Sequence, residues 1–172
     1  MTLANRVTMI RLILVPFFAL FVLRPLGPGY YLAAGLFVLA AATDGLDGYL
    51  ARSRAEVTRL GKLLDPLVDK LLVTTALVLL VQMHLAPAWV VAVIIGREFL
   101  ISGLRQVAAG EGLILAASSL GKLKTVAQVI AVVALLVEVP SATLVLYGAL
   151  ILTTVSGLHY LFLNRDLLCR MV

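Results

Sequence analysis

The chain alternates long apolar segments with short polar breaks. Six segments approach the roughly 20 apolar residues that a helix needs to cross a bilayer, at residues 7–24, 29–50, 63–83, 87–108, 119–138 and 141–163. Four breaks contain glycine or proline, which favour turns, at residues 25–29, 84–87, 110–112 and 140–141. The pattern predicts an all-α chain that forms an integral membrane bundle of six transmembrane helices.

Composition favours a membrane domain over a soluble one. Apolar residues make up 62% of the 172 residues and charged residues 13%, and the mean hydropathy is +1.10. Soluble domains average about 45–50% apolar and about 25% charged residues. We therefore interpret residues 1–172 as a single transmembrane domain. The net charge of +5 does not indicate nucleic acid, because the basic residues lie beside apolar segments, where they set orientation and can bind phosphate.

The basic residues also predict the orientation of the bundle. With the N-terminus inside, all fourteen lysines and arginines except Arg24 fall on the inner side. Basic residues accumulate on the cytoplasmic side of membrane proteins. Both termini, and the polar connection between spans two and three, are therefore expected to be cytoplasmic.

Charges within the spans predict a polar cavity. Span four has only twelve uncharged residues, 85–96, before it meets Arg97 and Glu98, and span five has thirteen between Lys124 and Glu138. Each must carry charge into membrane depth, where contact with lipid is prohibitive. The charges of spans two to five all fall in the cytoplasmic half, so we expect them to face one water-filled cavity that opens to the cytoplasm.

Four of the five aspartates lie between positions 44 and 69. Asp44 and Asp47 are three apart and Asp65 and Asp69 are four apart, so each pair shares one helical face. Two such helices offer a cage of carboxylate oxygens, with no histidine or cysteine nearby, which favours two Mg²⁺ or Mn²⁺ ions over zinc. For any single aspartate, a structural ion pair with a neighbouring basic residue is the alternative.

The wider spacing is more specific than the acids alone. It reads Asp-x-x-Asp-Gly-x-x-Ala-Arg over residues 44–52 and, after eight residues, Gly-x-x-x-Asp-x-x-x-Asp over residues 61–69. This resembles the signature of the CDP-alcohol phosphotransferases, membrane enzymes that move a phospholipid head group or diacylglycerol phosphate from a CDP carrier to an alcohol. The resemblance implies that Asp44, Asp47 and Asp65 are mainly metal ligands. It also implies that Asp69 is both a ligand and the catalytic base that takes the acceptor hydroxyl's proton.

Residues around this signature are candidate contacts for CDP-diacylglycerol. The planar guanidinium of Arg52 matches diphosphate oxygens, although a purely orienting charge is the alternative. Gly48 lets a nucleotide approach the backbone. Ala51 and Gly61 can do the same, but small residues in membrane helices also permit close helix packing. Thr58 resembles the position where members of the family place a hydroxyl near CDP.

The N-terminus offers a second polar face. Asn5, Thr8 and Arg11 follow one another at three-residue spacing, so they share one side of a helix. We expect this face to cover the nucleotide pocket. Helix capping by Asn5 is the alternative.

The second half carries the candidate acceptor site. Residues 96–105 read GREFLISGLR and residues 121–128 read GKLKTVAQ. Together with residues 5–18 and 65–70, they resemble the bacterial phosphatidylglycerophosphate synthases, one branch of the family. This resemblance runs to Gln128, and the last spans are merely apolar. It implies a bacterial inner-membrane, multi-pass homodimer whose active site faces the cytoplasm.

Glycerol 3-phosphate, the acceptor implied by that branch, brings a dianionic phosphate that needs cations. Arg97 and Arg105 are about 80° apart around a helix and can share a face. Lys122 and Lys124 begin the next span. For each of these four residues, snorkelling and orientation of the helix are the alternative roles.

The resemblance implies transfer of the phosphatidyl group from CDP-diacylglycerol to glycerol 3-phosphate, giving phosphatidylglycerophosphate and CMP by metal-assisted direct attack. A sister enzyme with phosphatidylglycerol, inositol phosphate or serine as acceptor is the nearest alternative. A small ion transporter using the same carboxylates would need polar residues that continue to the outer side. The outer halves of the spans are almost wholly apolar, which disfavours transport.

Overall fold

The computed structural model describes residues 3–24, 29–54, 59–110, 112 and 119–165, with side chains for residues 9–24, 30–43, 67–68, 70–110, 112 and 120–165. Within these ranges the chain forms six helices and no strand: α1 Leu3–Leu23, α2 Gly29–Arg54, α3 Arg59–Gln82, α4 Ala88–Gly110, α5 Ser119–Leu136 and α6 Ala142–Leu163. The predicted all-α architecture is confirmed, and each predicted span corresponds to one helix.

The main difference from the predicted spans lies between α2 and α3. The sequence predicts that the second span ends at residue 50 and that the third begins at residue 63, whereas α2 continues to Arg54 and α3 begins at Arg59. Residues 51–54 contain neither glycine nor proline, so nothing in the local sequence ends the helix where its apolar segment ends.

Two of the helix ends share one geometry. At the end of α3, His84 N–H donates to Val81 O and Leu85 N–H to Leu80 O, and His84 has a φ of 59°. This is the Schellman arrangement, which satisfies the last carbonyls of a helix. The end of α5 repeats it around Glu138, with a φ of 53°. Both turns therefore use a non-glycine residue in the left-handed region, which costs about 1–2 kcal/mol.

The helices pack as two groups of three. α1 contacts α2 and α3, while α6 contacts α4 and α5. The groups meet where α5 packs against α2 and α3 and where α3 packs against α4. The core contains the rings of Phe18 and Phe37, whose centroids are 5.6 Å apart, and the fully buried side chains of Leu80, Ile94 and Leu146.

Large apolar side chains also cover much of the outer surface. Leu144 and Phe162 on α6 are 73% and 70% exposed, and Ile13, Phe17 and Leu20 on α1 are exposed as well. Within the described residues, α6 is the one helix long and apolar enough by itself to span a bilayer, with a mean hydropathy of 1.6. Length and composition alone therefore leave the six membrane spans and the cytoplasmic termini as predictions.

Candidate functional site

The four aspartates lie on helical backbone, as their spacing predicts. Asp44 and Asp47 belong to α2, Asp65 and Asp69 belong to α3, and these two helices contact each other. The aspartate side chains lie outside the described set, and no group of three or more histidine, cysteine, aspartate or glutamate residues occurs among the side chains that are described. The carboxylate cage therefore stays a prediction, although the two helices that it requires are present and in contact.

The candidate CDP-diacylglycerol contacts fall into the same part of the chain. Thr58 lies wholly outside the described residues. The other six have helical backbone with side chains outside the described set: Asn5, Thr8, Gly48, Ala51, Arg52 and Gly61. Arg11, which shares the predicted N-terminal face with Asn5 and Thr8, is buried at 2% exposure. That face is therefore directed into the bundle at Arg11.

Glu98 is the centre of a polar cluster between α4 and α5. Its Oε1 lies 2.6 Å from Lys124 Nζ and 3.2 Å from Arg97 Nη1. Gln128 Nε2 donates to the same oxygen at 3.5 Å. Lys124 and Gln128 are four residues apart, so both project from one face of α5. One carboxylate thus joins two cations and an amide from two helices.

α6 contributes the other half of this cluster. Gln128 Nε2 donates to Thr153 Oγ1 at 3.0 Å, and Arg97 Nη2 donates to Ser156 Oγ at 2.9 Å. Arg105 Nε donates to the hydroxyl of Tyr160 at 3.1 Å. Thr153, Ser156 and Tyr160 follow the three- and four-residue spacing of one helical face. The interpretation of the last spans as merely apolar is therefore wrong for α6.

The structure brings three of the four predicted acceptor residues into this cluster. Arg97 and Arg105 share a face of α4, as predicted, and Lys124 joins them from α5. Lys122 is exposed, whereas Lys124 is buried. A separation of two residues corresponds to about 200° of rotation around a helix, so the two lysines lie on different faces of α5.

A small cavity of about 40 Å³ lies beside Glu98. Its polar lining consists of Lys70 and Thr74 from α3, Glu98 from α4, and Lys124, Thr125 and Gln128 from α5. Its apolar lining includes Leu77 and Ile94. Lys70 directly follows Asp69 in the chain. The cavity therefore lies between the segment of α3 that carries the second aspartate pair and the basic cluster.

Replacing Glu98 by glutamine is expected to lower the free energy of unfolding by about 1–3 kcal/mol, because a neutral amide replaces the carboxylate that Arg97 and Lys124 share. Glu138→Gln is the matched control, since Glu138 is exposed and its change should stay within about 0.5 kcal/mol. Thermal unfolding of both variants checks this. Equal stability of the two variants would show that the cluster does not depend on the charge of Glu98.

Comparison with known proteins decides the family. The sequence model of CDP-alcohol phosphatidyltransferase matches residues 1–155. The chain belongs to this family. The CDP-alcohol phosphatidyltransferase match extends past Gln128, where the resemblance seen in the sequence motifs ends. It covers all four aspartates and both predicted acceptor segments.

Curated relatives resemble the chain over most of its length. A Bacillus subtilis protein is 46% identical over 96% of this chain and 96% of its own. A Pseudomonas fluorescens protein is 42% identical over 92% of this chain and 84% of its own. A Haemophilus influenzae protein is 41% identical over 90% of this chain and 88% of its own. All three are named CDP-diacylglycerol–glycerol-3-phosphate 3-phosphatidyltransferase.

Proposed function

We propose that this CDP-alcohol phosphatidyltransferase transfers the phosphatidyl group of CDP-diacylglycerol to glycerol 3-phosphate, releasing CMP. The observation that carries the proposal is the near end-to-end similarity, at 46% identity, to a relative whose name states this reaction. The basic cluster supports it, because an acceptor with a dianionic phosphate needs cations that are separate from those that hold the diphosphate of the donor.

The aspartates are the proposed metal site. CDP-alcohol phosphatidyltransferases generally use divalent metal ions, and four carboxylates on two packed helices form an oxygen-only donor set that suits Mg²⁺ or Mn²⁺. The residues that would hold two such ions are Asp44, Asp47, Asp65 and Asp69. Bound there, the ions would polarise the diphosphate and stabilise the phosphate of the departing CMP.

Asp69 is the proposed base. The acceptor hydroxyl gives its proton to the Asp69 carboxylate, and its oxygen forms a bond to the phosphorus of the phosphatidyl group. The bond from that phosphorus to the oxygen of CMP breaks, and CMP leaves with the electron pair. Arg52 binds the diphosphate of the donor. The remaining proposed donor contacts are Asn5, Thr8, Gly48, Ala51, Thr58 and Gly61.

The acceptor phosphate is proposed to bind at the α4–α5–α6 cluster. Arg105 has no carboxylate partner among the described side chains, because its recorded contacts are the hydroxyl and ring of Tyr160. Its charge is therefore available to a phosphate. Arg97 and Lys124 are the other proposed contacts, whereas Lys122 is exposed on a different face of α5. Lys124 and Lys70 both line the cavity next to the aspartate segment of α3.

We also propose that residues 1–172 form one multi-pass domain of a bacterial inner membrane, with the active site and both termini on the cytoplasmic side. The exposed apolar side chains of α1 and α6 support this placement, since contiguous exposed apolar surface of this kind is unusual on a soluble monomer. The lipid nature of the donor fits it as well. A homodimer is proposed from the resemblance to phosphatidylglycerophosphate synthases.

Assays of CMP release test the function directly. We expect the purified protein, with CDP-diacylglycerol and Mg²⁺ or Mn²⁺, to release CMP when glycerol 3-phosphate is added and to stop when the metal is chelated. Phosphatidylglycerol, serine and inositol phosphate are the matched acceptors and should give no more CMP than a reaction without acceptor. Release with phosphatidylglycerol but not with glycerol 3-phosphate would replace this proposal by a cardiolipin synthase.

A further inference from the structure

The polar face of α6 has no part in the proposed reaction so far. Ser156, Gly157 and Tyr160 are all buried, and all three follow residue 155, where the match to the family ends. Each of them contacts one of the two arginines of α4. Three buried residues that contact the basic residues of a neighbouring helix call for a role connected with those residues.

Arg97 lies directly against the backbone of α6. A Cβ atom built on Gly157 would be 3.0 Å from Arg97 Nε and 3.1 Å from Arg97 Cγ. These separations are shorter than ordinary van der Waals contact, so a Cβ at position 157 requires the Arg97 side chain to shift by a few tenths of an ångström. One residue earlier, Ser156 Oγ accepts a hydrogen bond from Nη2. Glycine provides the space and serine fixes the guanidinium.

Arg105 is fixed by a single aromatic residue. Tyr160 is 2% exposed, and its hydroxyl accepts a hydrogen bond from Arg105 Nε at 3.1 Å. The guanidinium carbon of Arg105 also lies 4.9 Å from the centre of the Tyr160 ring. A buried ring loses little conformational freedom on contact, so it can hold a long, exposed arginine side chain in one place.

The two contacts attach both arginines to one face of α6. Arg97 and Arg105 are eight residues apart, which is about 12 Å of rise along α4. Their anchors, Ser156 and Tyr160, are four residues apart, which is about 6 Å of rise along α6. Both arginines therefore contact one short stretch of α6, although they lie about two turns apart on α4. A small anion with several oxygens, such as a phosphate monoester, is the ligand that two arginines held by one helical face suit.

We propose that Ser156, Gly157 and Tyr160 are positioning residues that hold Arg97 and Arg105 for the acceptor phosphate. This inference rests on the proposed function, because it takes the acceptor to be a phosphate monoester. It assigns a part in acceptor recognition to the last residues of α6, which follow residue 155, and it separates that task from the donor and metal residues proposed on α2 and α3.

Gly157→Ala is the most direct test, and Gly148→Ala is its matched control on the same helix. A Cβ at Gly148 would meet no atom within 4 Å. In the full chain, we expect Gly157→Ala to raise the KM for glycerol 3-phosphate by up to about tenfold, since a misplacement of about 1 Å can cost about a hundredfold and the shift of Arg97 is smaller. The KM for CDP-diacylglycerol should stay within about twofold of the wild-type value. Gly148→Ala should leave both constants unchanged.

A double-mutant cycle separates positioning from a general packing defect. In an Arg97→Ala background, Gly157→Ala should produce no further rise in the acceptor KM, because the side chain that it displaces is gone. A further rise of the same size, or an equal rise in the KM for both substrates, would overturn the proposal.

Tyr160→Phe keeps the test available if Gly157→Ala does not fold. This substitution removes the hydroxyl that accepts the hydrogen bond from Arg105 and keeps the ring. Tyr147→Phe on the same helix is its control. The acceptor KM should rise for Tyr160→Phe alone; equal acceptor KM values for the two variants would contradict the proposal.

The wild-type protein is assayed first, so that failure of the proposed function can be told from failure of the positioning role. If the wild-type protein releases no CMP with glycerol 3-phosphate, the proposed function fails. If it releases CMP but the variants do not show the expected KM changes, the positioning role alone fails.

Discussion

Asp69→Asn is expected to abolish turnover, with CMP release falling by about 100- to 10,000-fold, the range typical for loss of a general base. Asparagine keeps the size of the side chain but cannot take the proton of the acceptor hydroxyl. Binding of CDP-diacylglycerol should stay within about tenfold of the wild-type value, because the other three aspartates remain as metal ligands. Single-turnover CMP release and equilibrium binding of the donor measure the two effects separately.

Glu138→Gln is the matched control for this variant. It makes the same carboxylate-to-amide change at an exposed residue in the α5–α6 turn and should leave turnover unchanged. Near-normal CMP release by Asp69→Asn would remove Asp69 from the role of base. Loss of donor binding in proportion to loss of turnover would instead make Asp69 a metal ligand only.

Arg105→Ala and Arg52→Ala are expected to have opposite effects on the two substrates. Losing a charge-assisted contact typically costs about 1.5–3 kcal/mol, which corresponds to roughly ten- to a hundredfold in affinity. Arg105→Ala should raise the KM for glycerol 3-phosphate by that factor and leave the KM for CDP-diacylglycerol nearly unchanged. Arg52→Ala should do the reverse, because Arg52 is assigned to the diphosphate of the donor.

Initial rates with both substrates varied provide the measurement. Arg24→Ala is the control for the loss of a positive charge, since Arg24 is exposed and lies directly after the end of α1. It should change neither KM. If Arg52→Ala and Arg105→Ala weakened both substrates equally, the assignment of two separate phosphate sites would be wrong.

Most helices were predictable because their apolar segments are long and end at a local signal. The break after α3 contains Pro87 and the break after α5 contains Pro140, and both breaks appear in the structure. The α2–α3 connection was less predictable because its polar residues contain no strong helix breaker before Gly61. Apolar content therefore marks where a membrane segment ends but not where its helix ends.

The basic residues of the polar cluster were predictable from their charge, whereas the residues that contact them were not. Arg97, Arg105 and Lys124 stand out in apolar segments, since a charge at such a position needs a polar environment. The role of Glu98 depends on how α5 is rotated and shifted against α4, which single-sequence periodicity does not give. Ser156 and Tyr160 are neutral residues in a strongly apolar helix, so average hydropathy conceals them. Together with Thr153 they follow the three- and four-residue spacing of one helical face, and this spacing was the one signal that the sequence offered.

The packing of the bundle as two groups of three helices has a consequence for how such an enzyme diversifies. The aspartates belong to the group of α1, α2 and α3, whereas the arginines and their anchors belong to the group of α4, α5 and α6. Under the proposed assignment, substitutions in the second group would alter which alcohol is accepted while the first group keeps its aspartates. A lineage would then exchange one phospholipid product for another without rebuilding the chemistry that releases CMP.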